Sequence, residues 1–203
     1  MISASQALEQ LREGNRRFVA SVQRGEGVRR YPPLEELTQG QAPFAVILGC
    51  SDSRVPAELV FSQGLGDLFV VRVAGNIVAP TQIGSIEFAA ERFGTRLVVV
   101  LGHSNCGAVD ATLQALRQPG ADPSPNLGTI VERIAPAVRD LAHAAAGDEA
   151  QLMQDAVRAN VRASVAGLRE QSAIIDHLVQ TDGLMVVGAE YALGTGRVEF
   201  LDV

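Results

Sequence analysis

Four apolar runs stand out along the chain, at about 44–48, 67–73, 97–101 and 184–190, rich in Val, Ile, Leu and Phe and without polar alternation. Unbroken apolar runs of this length fit strands buried on both faces, as parallel sheets require. Between them the pattern turns helical: from Pro56 in PAELVFSQ, over 82–93 in QIGSIEFAAERF, and in a segment opening at Cys106. From about 126 to 180 it stays helical, with an interruption near Gly147. Strands and helices in this order predict an α/β fold with a mostly parallel central β-sheet flanked by helices. The C-terminal stretch differs, because GTGR at 194–197 makes a turn and VEFLDV pairs back as an edge hairpin.

The chain opens on a separate amphipathic stretch, SASQALEQLREGNRRFVASV. Ser3 and Gln6 stand at capping-box spacing, and Leu8, Leu11, Phe18 and Val22 keep to one broad face. Tyr31-Pro32-Pro33 and Pro43 then interrupt the helical pattern before the first strand. A helix set apart in this way is expected to pack on a partner subunit. No repeat, low-complexity linker or composition break divides the rest. The chain therefore reads as one domain over 1–203, with 1–40 as an N-terminal helical arm and 41–203 as the α/β core.

Composition narrows the function. A net charge of −6 argues against a nucleic-acid partner, since phosphate neutralisation needs a positive face. All 17 basic residues are arginine, which excludes a lysine Schiff base, a lysine general base and a P-loop lysine. There is no apolar run of about 18 residues, and the N-terminus lacks a charged start followed by an apolar stretch. No membrane partner is expected. The location is expected to be cytoplasmic, with a mature form whose leader was removed as the alternative. Two cysteines do not make a secreted disulfide framework.

Both cysteines close apolar runs. FAVILGCSDSRVPAE carries Cys50, Asp52 and Arg54, and VVVLGHSNCGAV carries His103 and Cys106. In an open parallel sheet, ligands collect outside the carboxyl ends of the strands. Two thiolates and an imidazole form a Cys2His set that zinc accepts in catalytic sites with an open fourth position. The His-x-x-Cys spacing lets one turn at a helix start present both ligands, where the positive helix end favours the Cys106 thiolate. Asp52 would compete for the metal unless held off, and Arg54 can grip its carboxylate in bidentate fashion. His143 and His177 lie in ordinary amphipathic helical pattern and read as surface residues.

Other readings stay open at this level. The cysteines can be buried small hydrophobes or a disulfide, the zinc set can serve a non-catalytic binding module, and Cys with His103 as base can make a nucleophilic hydrolase. A zinc deaminase is disfavoured because the His-x-Glu and Pro-Cys-x-x-Cys signatures are missing. GLGDLF at 64–69 fails as a dinucleotide motif, since it lacks the last glycine and precedes a strand.

CSDSRVPAE together with GHSNCG resembles the β-class carbonic anhydrases, in order and approximate separation. ALEQLREGNRRF, DLFVVRVAGN and GAEYALGTGRV extend the resemblance over nearly the whole chain. It implies a zinc lyase, carbonate dehydratase, that reversibly hydrates carbon dioxide to bicarbonate and a proton by zinc-bound hydroxide attack. One Zn2+ per chain would be held by Cys50, His103 and Cys106, with Asp52 and Arg54 as the catalytic dyad. In the family's plant-like branch a glutamine nine positions before the first cysteine bonds a substrate oxygen, and Gln41 stands there; Phe69 matches an aromatic pocket wall. Ala74 replaces a usual valine and Phe88 a common tyrosine, which implies a roomier pocket lacking one hydroxyl. The backbone N–H of Gly107, at the helix start, would assist at the substrate. The resemblance also implies a homodimer or a tetramer of dimers. On the same scaffold, hydrolysis of carbon disulfide or carbonyl sulfide is the alternative activity.

A second branch of that family carries a regulatory bicarbonate site, marked by a tryptophan three residues before the first cysteine. Ile47 stands at that place and the chain has no tryptophan. We expect no steep cooperative loss of activity when bicarbonate is titrated at fixed pH, beyond ordinary product inhibition.

Overall fold

The computed structural model describes residues 2–26, 37–38, 40–118, 124–143 and 148–202. Tyr31-Pro32-Pro33 and the break expected near Gly147 lie outside them. Helix α1 (Ala4–Gln23) is followed by β1 (Ala45–Gly49), the short α2 (Ala57–Val60), β2 (Leu68–Arg72) and a 3-10 turn at Ala74–Asn76. Then come α3 (Pro80–Arg92), β3 (Leu97–His103), α4 (Gly107–Arg117), α5 (Pro125–Ala142), α6 (Glu149–Glu170), α7 (Ala173–Thr181), β4 (Met185–Tyr191) and β5 (Val198–Leu201). The sheet order is β2-β1-β3-β4-β5. The first four strands are parallel and β5 returns antiparallel to β4, so the expected sheet and edge hairpin are both present.

Alternate residues of the central strands feed two apolar layers. Ile47, Leu97, Val99 and Leu101 face Leu11 of α1, Phe61 and Tyr191. Val46, Leu48, Val98 and Val100 face Ile86 and Ala89 of α3, Val161, Val165 and Leu168 of α6, and Ile175 of α7. Both strand faces are thus dry, which is why the runs show no polar alternation.

Several elements depart from the sequence pattern. Strand β3 runs on to His103, because its ladder with β4 continues through Gly102↔Glu190 and His103↔Tyr191. The helix from Pro56 stops at Val60, and Ser62 beyond it takes a positive φ of 46°. The long helical tract divides again at Ser172, whose hydroxyl accepts from the Ile175 N–H as the α7 N-cap and donates to Glu87 at 2.5 Å.

The capping box of α1 forms as expected, with Gln6 N–H donating to Ser3 Oγ and Ser3 N–H donating to Gln6 Oε1. Val22, expected on its apolar face, is 55% exposed. One face of the helix packs on its own chain. Buried Asn15 donates to the carbonyls of Val60 and Gly196 at 3.0 and 2.9 Å and accepts from the Val198 N–H at 2.9 Å. Gly14 lies against the backbone at Phe61, so closely that a Cβ there would fall 1.8 Å from the Phe61 carbonyl oxygen.

A Gly→Ala change inside a helix ordinarily adds about 1 kcal/mol of stability. At Gly14 the sign reverses, since α1 must move off the core to admit the methyl group. We expect Gly14→Ala to lower unfolding stability by about 2 kcal/mol or more, read from the urea midpoint at unchanged m-value.

Candidate metal centre

Strands β1 and β3 run in register, with Gly49 opposite Leu101, so the residues that follow emerge side by side at the carboxyl edge of the sheet. Gly102 has no side chain because α6 presses on it; a Cβ there would meet Val161 Cγ2 at 2.5 Å. His103 closes β3 and is fully buried. Ser104 and Asn105 then turn the chain, Asn105 with a positive φ of 56°, and Cys106 becomes the N-cap of α4. The turn is fixed by Ser104, whose N–H donates to the Tyr191 carbonyl and whose hydroxyl accepts from the Leu193 N–H.

Cys50, His103 and Cys106 converge: their ligand atoms lie within 4.8 Å of one another, and all three residues are buried. The two sulfurs are 4.0 Å apart and both thiols are free. Two sulfurs at about 2.3 Å from one tetrahedral zinc would stand about 3.8 Å apart, so the observed spacing fits such an ion and is far from a disulfide. His103 Nδ1 lies 3.0 Å from the Ser104 carbonyl, which makes it the protonated nitrogen and leaves the lone pair on Nε2. That Nε2 is buried with no hydrogen-bond partner. An unpaired buried acceptor beside two thiols is what a metal ligand looks like without its ion.

Charge in this cluster is shared. The Cys50 thiol is drawn down by the hydrogen bond from Cys106, against the opposing effect of burial, with further help from His103 and the Gly75 N–H at 3.4 Å. Cys106 is pushed up by the Cys50 sulfur and by burial, so the two thiols are driven apart in acidity. The N–H groups of Val109 and Ala108 in the first turn of α4 favour the Cys106 thiolate. Burial presses the His103 imidazole toward neutrality, but the nearby Cys50 sulfur outweighs it and raises its pKa.

Asp52 and Arg54 pair as expected. The guanidinium grips the carboxylate through Nε–Oδ1 at 2.9 Å and Nη2–Oδ2 at 2.7 Å, and the Arg54 N–H adds a third bond to Oδ1 at 2.9 Å. The Arg54 side chain holds the Asp52 carboxyl well below the usual carboxylate range. Asp52 Oδ2 lies 3.8 Å from His103 Nε2, at the edge of the ligand cluster.

Of the other expected site residues, Gly107 and Ala74 adjoin the cluster, whereas Gln41, before β1, and Phe69, opposite Val46 at the start of that strand, lie toward the other end of the sheet within this chain. Gly107 is the first residue of α4, directly after Cys106, and is exposed. Ala74 is half-buried in the 3-10 turn that carries Gly75. Gln41 is exposed in the segment before β1. Phe69 of β2 and Phe88 of α3 form an aromatic cluster with Phe93, at centroid distances of 5.6 to 6.2 Å, and Phe88 is 52% exposed. His143 and His177 are exposed, as expected.

Sequence reasoning missed a supporting group. Arg72 donates to the carbonyls of Cys50 and Asp52. Asn160 donates to the Gly75 carbonyl at 2.8 Å and Ser164 to the Asn76 carbonyl at 3.1 Å, which pins the turn whose N–H reaches Cys50 Sγ. Asn160 and Ser164 are a helical turn apart in α6, and both are buried polar residues in an otherwise apolar stripe; that was the available signal.

Comparison with known proteins places these features in context. A family profile described as carbonic anhydrase matches residues 45–198. A carbonic anhydrase of Mycolicibacterium smegmatis is 43% identical over 197 residues, covering 95% of this chain and 91% of its own. Carbonic anhydrase 2 of Mycobacterium tuberculosis is 39% identical over 201 residues, covering 97% and 92%. Among solved structures, a tetrameric β-carbonic anhydrase of Sordaria macrospora superposes with a TM-score of 0.74 at 29% identity, covering 84% of this chain and 86% of that one.

The Asp52–Arg54 grip generates a pH expectation. A carboxyl whose pKa is depressed on folding contributes stability above its unfolded value of about 3.9, and loses it as pH falls toward the folded value. Arg54→Met returns the carboxyl toward that ordinary value and removes the contribution. We expect the acid-unfolding midpoint of Arg54→Met to lie at higher pH than that of the parent, with the Asp52 carboxyl 13C shift titrating at correspondingly higher pH.

Proposed function

The chain belongs to the β-carbonic anhydrases, zinc enzymes that reversibly hydrate carbon dioxide, and on that premise we propose that Cys50, His103 and Cys106 hold its zinc while Asp52 and Arg54 form the catalytic dyad. The observation that carries the assignment is the buried, unpartnered Nε2 of His103 facing two free thiols. When bound, zinc supplies Lewis acidity that brings the ionisation of water to about neutral pH, so that no strong protein base is needed.

The chain's own residues do the rest. Asp52 stays ionised in its grip with Arg54 and is therefore an acceptor only. From its place beside the cluster it takes the hydrogen bond of the attacking oxygen and turns that oxygen's lone pair toward the carbon. Arg54 keeps the carboxylate from occupying the ligand position itself. Negative charge that grows on the substrate oxygen meets the Gly107 N–H at the positive end of α4 and the Gln41 amide of a second copy. Ala74 and, from a second copy, Phe69 and Phe88 bound the apolar space that admits a small linear molecule and limits water.

Assembly follows from the sheet edge. Strand β2 is an edge strand whose Phe69, Val70 and Val71 are only half-buried, with exposed Phe88 beside them. We read this apolar face as the contact of a homodimer, or a tetramer of dimers, in which the second copy brings Gln41 and the aromatic residues to the pocket. Among the described residues no helix is long and apolar enough to cross a membrane. Two reduced thiols as ligands suit a reducing compartment, and we assign the protein to the cytoplasm.

Stopped-flow carbon dioxide hydration beside metal analysis on one sample tests the reading. We expect about one zinc per chain, loss of turnover on stripping with dipicolinate and recovery on adding zinc back. Asp52→Asn should retain its zinc while kcat falls about 100-fold. Turnover that survives complete removal of zinc would point to a cysteine nucleophile instead.

A further inference from the structure

Arg54 fixes the Asp52 carboxylate, but it leaves unfixed the backbone that carries Cys50 and Asp52 together. That backbone is a short exposed turn outside the sheet, with Ser51, Ser53 and Arg54 all facing solvent. It is held by Arg54 N–H to Asp52 Oδ1 at 2.9 Å, Val55 N–H to the Asp52 carbonyl at 3.1 Å and, outside the turn, Ser51 N–H to the Val73 carbonyl at 3.3 Å.

A side chain from outside the turn, Arg72, holds two of its carbonyls. It is the last residue of β2 and lies in parallel register with Gly49, the last residue of β1, so its side chain starts level with the point where the turn leaves the sheet. From there Nε donates to the Cys50 carbonyl at 3.0 Å and Nη2 to the Asp52 carbonyl at 2.6 Å. One rigid fork thus spans the peptide oxygens of a sulfur ligand and of the dyad carboxylate. Among the described residues no carboxylate lies within ion-pair distance of Arg72. Its charge strengthens these two backbone bonds rather than serving a salt bridge; charge-assisted hydrogen bonds are roughly twice as strong as neutral ones.

Building on the zinc-site reading above, we propose that Arg72 is a positioning residue for the reaction: its guanidinium fixes the Cys50–Asp52 turn, and so sets where the Asp52 carboxylate stands relative to the three ligands. It touches neither substrate nor metal. A displacement of about 1 Å in such a group can cost about 100-fold in rate, and removal of a ligand's supporting contacts typically costs 10- to 100-fold in metal affinity. Lysine is an incomplete replacement, because its ammonium lacks the two donors fixed in one plane that meet the two carbonyls here.

The test compares full-length parent, Arg72→Met, Arg72→Lys and Arg72→Ala, with Arg139→Met on the exposed face of α5 as control. We expect Arg72→Met to lose about tenfold or more in kcat with KM changed less than about twofold. Zinc release to 4-(2-pyridylazo)resorcinol should be about tenfold faster, and amide exchange over residues 51–55 should accelerate in the zinc-loaded protein. Arg72→Lys should recover only part of the loss. Millimolar methylguanidinium should restore turnover to Arg72→Ala, whose cavity opens to solvent, and leave Arg139→Met unchanged. If Arg72→Met matches the parent in kcat and zinc release, or if the variants lose only thermal stability and methylguanidinium restores nothing, the proposal is overturned. A parent protein without zinc or turnover would instead overturn the assignment of the site, and exchange over 51–55 would still report whether Arg72 holds the turn.

Discussion

Taking two thiols and an imidazole out of water is the constraint on which this structure turns. A buried polar atom without a partner costs about 1–3 kcal/mol, and a buried thiolate costs more. His103 Nε2 has no hydrogen-bond partner, and the two sulfurs drive each other's acidity in opposite directions. The fold spends part of its stability to keep three such groups within 4.8 Å of one another. A divalent cation settles all three at once, and much of the surrounding architecture serves to hold them for it.

Three of the positive groups near the cluster have different tasks. Arg54 grips a side chain, Arg72 grips backbone, and the first turn of α4 offers N–H groups to the Cys106 sulfur. The guanidinium suits the first two tasks because its donors are fixed in a plane and match either two carboxylate oxygens or two carbonyls. In a chain whose basic residues are all arginine, no flexible ammonium competes for those acceptors.

The sheet was legible in the sequence because its strands are dry on both faces, and a run such as Leu97–Leu101 has few other ways to be buried. The ligand trio and the dyad were legible because each needs an unusual residue at a strand end. Element limits were less so. His103 belongs to β3 through pairing with Tyr191, a contact 88 positions away along the chain that no local pattern records. The docking of α1 rests on Asn15, which satisfies backbone groups at Val60, Gly196 and Val198, and a polar residue in a helix gives no sign of that from sequence. Arg72 was invisible for the same reason: its partners are main-chain oxygens, and main-chain oxygens are everywhere.

The level ending of β1 and β3 also bears on how this chain tolerates change in length. Gly49 faces Leu101 across the ladder, and side chains alternate between two different apolar layers. Deleting or inserting one codon within either strand would exchange the layers residue for residue and carry a ligand to the wrong side of the sheet. The connections between helices on the far side bear no such bookkeeping. Length variation among relatives should therefore gather there, while the stretch from Ala45 through Cys50 and from Leu97 through Cys106 keeps its count.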